Sequence, residues 1–156
     1  VREQLLMTPD EYREAMNRKL GHDFVVIPIA SPTRAVARAI RYAKTIHPDK
    51  IYAAHVCMDL EKGEKVKALW QELEPSIEMV LIPSPYRQMT DPLIQFLSKL
   101  RKELDPNDVI TVLIPEFETK KLWHRLLHNQ SGAILHVKML NMLDVVVATV
   151  PLKFKK

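Results

Sequence analysis

The chain has 156 residues, 47% of them hydrophobic and 27% charged, a balance that suits one globular domain with a real core. Its net charge of +4 is spread along the sequence, which gives no argument for a nucleic-acid partner but would tolerate an anionic ligand. The single cysteine, Cys57, excludes an internal disulfide framework and fits a reducing compartment, and no apolar run reaches the roughly 18 residues of a membrane span.

Residues 1–22 are charged, with sparse apolar positions. Thr8 followed by Glu11 predicts a capped helix from Pro9 towards Leu20, stopped by Gly21. The chain opens on Val1 rather than methionine, so this stretch is expected to be a lead-in from a preceding segment, with the domain proper over residues 23–156. From Asp23 the pattern turns regular. Phe24–Ala30 is a continuous apolar run rich in β-branched residues, predicted as a strand buried on both faces. Ser31-Pro32 predicts a helix start, with Val36, Ala39, Ile40 and Ala43 as its apolar stripe and Arg34, Arg38 and Arg41 on another face.

The unit then repeats. Ile51–Met58 predicts a strand, and Glu61–Leu73 a helix with Val66, Leu69, Trp70 and Leu73 on one side. Ile77–Ile82 predicts a third strand, and Asp91-Pro92 opens a helix striped by Leu93, Leu97, Leu100 and Leu104. Val109–Ile114 is the fourth strand, running into Pro115-Glu116; a short helix over Leu122–Leu127 and a second helix start at His128–Ser131 follow. Val145–Val150 closes the series. Five strands alternating with four helices predict an open parallel α/β sheet.

In such sheets ligands bind beyond the carboxyl ends of the strands, where the strand order reverses. The three glycines, Gly21, Gly63 and Gly132, do not directly follow a strand, which removes the glycine loops that cradle phosphate in nucleotide folds. Phosphate would have to be held at helix starts, near Ser31 and Asn129–Ser131, with Arg34 one turn away. Pro28 and Pro115 end the two strands expected to flank the reversal. His55, near the end of the second strand, is either a satisfied core histidine or a contact at the ligand edge. Tyr86-Arg87 either stacks on a base or covers the end of the sheet.

His124 and His128 share an i, i+4 spacing, yet no third ligand stands at a suitable interval, so zinc is not the favoured reading. Glu116 and Glu118 have no evident reacting partner, and Cys57 lies within an apolar strand. Binding is favoured over catalysis, and no catalytic residue is assigned.

The segments IPIAS, AAHV, PSPYR and VLIPEFETKKLWHRLLHNQ resemble the C-terminal domain of bacterial amino-acid–polyamine–cation superfamily permeases of the KimA potassium-importer type, over roughly Asp23 to Pro151. The resemblance implies a universal-stress-protein-like fold with strand order 3-2-1-4-5, on the cytoplasmic face of the membrane and attached to a transmembrane permease domain. It also implies a homodimer, with the last strand or its neighbours at the interface. The implied role is regulatory, with cyclic di-AMP as the ligand that shuts off potassium uptake. The G-x2-G-x9-G-(S/T) loop of ATP-binding stress proteins is replaced here by PEFETKKLWHRLLHNQSG, so ATP is the less expected ligand. Adenine is expected near Ala30, Ser31 and His55, and phosphate near Arg34, Asn129, Gln130 and Ser131. Arg87, Pro115, Glu116 and His128 complete the expected lining. The alternative is a ligand-free dimerisation module of an amino-acid permease.

Overall fold

The computed structural model describes residues 6–29, 31–83, 92–115 and 144–151. Its elements are α1 (Pro9–Asn17), β1 (Asp23–Pro28), α2 (Arg34–Thr45), β2 (Lys50–Cys57), α3 (Leu60–Leu73), β3 (Glu78–Pro83), α4 (Pro92–Glu103), β4 (Val109–Pro115) and β5 (Val145–Val150). The five strands form one parallel sheet in the order β3-β2-β1-β4-β5. That is the expected fold class, and the expected helix over residues 122–127 lies outside the described residues.

The topology follows from burial on both faces. Along β1, side chains alternate across the sheet, so Val25, Ile27 and Ile29 join the core under α2 and α3, while Val26 joins the opposite core under α4. The path β1-β2-β3 runs one way with α2 and α3 on one face. The path then reverses past β1 to β4, and α4 covers the other face. A crossover that keeps its hand must change face when it changes direction, which is what the two cores record. Tyr52 of β2 meets Phe96 of α4 edge to face, with ring centroids 6.3 Å apart.

The helices form where local chemistry allows. On α1, Thr8 and Glu11 make the expected reciprocal capping box, but the helix ends at Asn17, short of Gly21, and buries no residue. The stripe of α2 is as expected, since Ala35, Val36, Ala39, Ile40 and Ala43 are buried and Arg34, Arg38 and Arg41 are exposed. Its start differs from expectation. Thr33, not Ser31, is the N-cap, and its hydroxyl accepts from the Val36 N–H at 3.3 Å. Beyond α2, His47 takes a left-handed conformation (φ 49°) directly before Pro48, and the helix cannot continue.

On α3 the buried face is also narrower than the sequence pattern suggested. Gly63 and Trp70 are buried and Val66 is partly so, whereas Leu69 and Leu73 are exposed. The indole N–H of Trp70 donates to the Ile77 carbonyl at 2.9 Å, which fixes the helix rotation. A Cβ on Gly63 would crowd the Cys57 side chain, so glycine there permits the close approach of α3 to β2. On α4, Leu93, Leu97 and Leu100 of the expected stripe are buried together with Ile94, while Leu104 lies just past the helix and is half-buried.

Candidate functional site

The strand order reverses between β1 and β4, the place at which open sheets of this kind bind ligands beyond the carboxyl ends of the strands. Both strands stop on proline there, at Pro28 and Pro115, and both prolines are fully buried. A proline has no N–H for the ladder, which lets the backbone leave the sheet at this level. One more hydrogen bond follows β1, from the Ile29 N–H to the Ala54 carbonyl at 2.8 Å.

His55 sits one residue further along β2, buried to 8% exposure, with Nδ1 2.7 Å from the Ile29 carbonyl. A carbonyl oxygen only accepts, so Nδ1 carries a proton and donates it to this bond. The histidine is thus a satisfied buried side chain and at the same time a strut between β2 and the backbone leaving β1. Cys57, two residues on, is buried beneath Gly63. Burial first, then the nearby charges of Glu64 and Asp59, pushes its thiol up, away from the thiolate a nucleophile requires.

Ser31 and Arg34 are exposed. Arg34 lines a groove of about 640 Å³ on the helical face, floored by Val36, Ile40 and Trp70 and rimmed by Arg41, Lys44 and Glu74. His55 and Pro115 do not line this groove, so the structure brings His55 and the β1 exit together and sets Arg34 on the neighbouring α2–α3 surface. Ala30, Arg87, Glu116, His128, Asn129, Gln130 and Ser131 lie outside the described residues, as do Tyr86, Glu118 and His124. Among the described residues no group of histidine, cysteine or carboxylate side chains is arranged to hold a metal ion.

A second polar cluster lies at the amino ends of the strands. The Asp108 carboxylate accepts from the His22 N–H at 2.8 Å and from the Asp105 N–H at 2.9 Å. Asp49 accepts from the Asp23 N–H at 2.7 Å, and its other oxygen lies 3.3 Å from His22 Nδ1. Arg101 donates to the Asp108 carbonyl at 2.7 Å. These bonds clamp the chain where it enters β1. The His22 N–H holds the Asp108 carboxyl below its usual range, helped by Asp105, and the Asp23 N–H does the same for Asp49, helped by His22. Asp23 moves the other way, raised by burial and then by the Asp49 charge. The sequence signal is modest: an aspartate stands directly before β2 and before β4, at Asp49-Lys50 and Asp108-Val109.

No helix among the described residues is long and apolar enough to cross a membrane. Comparison with known proteins places the chain. Residues 21–152 match the family described as KimA potassium transporter C-terminal domain. The chain is also similar to the potassium transporter KimA of Bacillus subtilis (strain 168), 38% identical over 133 residues. That alignment covers 85% of this chain and 22% of the relative, so the chain spans about a fifth of that transporter's length. From the amino-terminal clamp at Gly21 to the last strand, this chain belongs to the KimA potassium transporter C-terminal domain family.

Proposed function

We propose that this domain is the cytoplasmic regulatory part of a bacterial potassium importer, attached to a transmembrane permease domain. In this reading it binds an adenine nucleotide, cyclic di-AMP, and the bound state inhibits uptake. Family membership supports the transporter context, because the relative is a potassium transporter and this chain aligns with a minor part of it. The single observation that supports the ligand site is the strand-order reversal, where β1 and β4 both end on buried prolines and His55 braces the β1 exit. ATP fits less well, since the glycine loop that would wrap its phosphates is missing from the sequence. The domain acts by binding, with no catalytic step.

Thermal unfolding with and without nucleotide tests the site. A ligand that binds only the folded state adds about 2.7 kcal/mol at one hundred times its Kd. Cyclic di-AMP should therefore raise the melting temperature, and ATP should raise it less. An unchanged melting temperature with both would sink the nucleotide reading.

The second reading, a dimerisation module without a ligand, is favoured by β5. This strand closes one edge of the sheet, and it carries exposed Val146 (52%) and Val147 (39%) on opposite faces. An apolar, β-branched edge strand is a template for pairing with another chain. The two readings share the homodimer and differ in whether nucleotide binds.

A further inference from the structure

We propose that His55 is a positioning residue of the ligand site: through the Ile29 carbonyl it holds the connection from β1 to α2 in place before nucleotide arrives. The inference rests on the nucleotide reading above and assigns part of the affinity to a side chain that acts through the backbone of β1.

The paired register of β1 and β2 ends with Pro28 opposite Ala54. Past that pair the chain has left the strand, yet both backbone polar groups of Ile29 stay tied to β2. Its N–H donates to the Ala54 carbonyl at 2.8 Å, and its carbonyl accepts from His55 Nδ1 at 2.7 Å. Its side chain is buried in the main core. The first bond is the kind a ladder supplies with any sequence. The second needs a side chain with a donor at the right reach, buried to 8% exposure, where a polar group without a partner would be costly. By alternation along β2, His55 shares the face of Ile51 and Ala53, which pack into the core under α2 and α3. That is the face onto which the chain turns to begin α2.

Three residues then separate two fixed points. Ile29 is held at one end. At the other, Thr33 caps α2, its hydroxyl accepting from the Val36 N–H and its carbonyl from the Ala37 N–H at 3.1 Å. One of the three residues between them is Pro32, whose ring fixes its own φ. Ordering a segment on binding costs conformational entropy, and a segment fixed beforehand leaves less of that cost to the ligand. The connection leaves the carboxyl end of β1, the strand beside the reversal, so its order bears directly on a ligand bound there.

Three variants separate the donor from the ring. His55→Asn keeps a donor, because the amide nitrogen of asparagine stands the same number of bonds from Cα as Nδ1. His55→Gln carries its donor one bond further out, and His55→Phe keeps a ring without one. Calorimetry gives the cyclic di-AMP affinity of each folded variant. Amide exchange at Ile29 is followed beside it, relative to Val25 in the core, so that a general loss of stability does not mimic a local one. His55→Phe and His55→Gln should speed Ile29 exchange relative to Val25 and weaken binding roughly fivefold, the worth of one net hydrogen bond. His55→Asn should restore both. Should His55→Phe fail to fold, the contrast between His55→Gln and His55→Asn decides. Unchanged relative exchange in the Phe and Gln variants would overturn the brace. Faster exchange with undiminished affinity would make His55 a core residue alone and remove its ligand role. If the unsubstituted chain binds no cyclic di-AMP, the nucleotide reading falls and the positioning role with it, while Ile29 exchange still reports whether the brace exists.

Discussion

His55 is the residue whose role changes most between sequence and structure. Its position near the end of β2 left a core role and a ligand-edge role open, and the hydrogen bond to the Ile29 carbonyl shows that the core role is real. Replacing it by phenylalanine keeps a ring and removes the donor, leaving the Ile29 carbonyl unsatisfied. Denaturant unfolding of His55→Phe should show a loss of about 1–3 kcal/mol. The clamp at the amino ends makes a separate claim about pH. Asp49 and Asp108 have folded pKa values depressed by backbone N–H groups, so the stability they confer is fully present above the unfolded carboxylate value of about 3.9. It is lost as pH falls through their folded values. Asp23, raised, works in the opposite sense and partly offsets the loss. The melting temperature of Asp108→Asn should therefore vary less with pH below about 4 than that of the unsubstituted chain. Equal slopes for the two would remove Asp108 from the clamp's pH response.

At the scale of elements, two helix caps of similar chemistry should have unequal consequences. Thr33 caps α2, whose stripe is buried in the main core, and Thr33→Ala should cost about 1 kcal/mol in global unfolding. Thr8 caps α1, which buries nothing, so Thr8→Ala should fray that helix and leave the global transition where it is. Circular dichroism at the helix band, set beside calorimetric melting, separates these outcomes. Trp70 is the anchor of α3, 2% exposed and hydrogen-bonded to Ile77, and Trp70→Ala should cost about 3–5 kcal/mol. Helix starts were only partly legible beforehand. Ser31 and Thr33 are both plausible capping residues by composition, and what marks the start is the Thr33 hydroxyl accepting from the Val36 N–H, a bond that composition does not show. The rotation of α3 was harder still, because Leu69 and Leu73 are as apolar as anything on its buried side. What turns the helix is a glycine that permits contact and an indole that needs a carbonyl, and neither produces apolar periodicity.

For the molecule as a whole, the sheet was legible because burial on both faces favours nearly continuous apolar runs, and Phe24–Pro28, Ile51–Cys57 (broken only by His55) and Val109–Pro115 (broken only by Thr111) are such runs. The order 3-2-1-4-5, which the family resemblance implied, stands in the structure with Pro28, Pro83 and Pro115 each as the last residue of a strand. The candidate site was legible in position and less so in composition. Strand ends and the reversal point follow from topology, so Pro28, Pro115 and His55 could be named. The clamp formed by Asp49 and Asp108 could not, since its bonds join residues up to 86 positions apart in the chain. The central proposal is that this domain binds cyclic di-AMP. Its most direct test is a calorimetric titration of the 156-residue chain with cyclic di-AMP, with ATP titrated in parallel. The account expects saturable heat from cyclic di-AMP and weaker or no heat from ATP; no heat from cyclic di-AMP, or a clear preference for ATP, would contradict it.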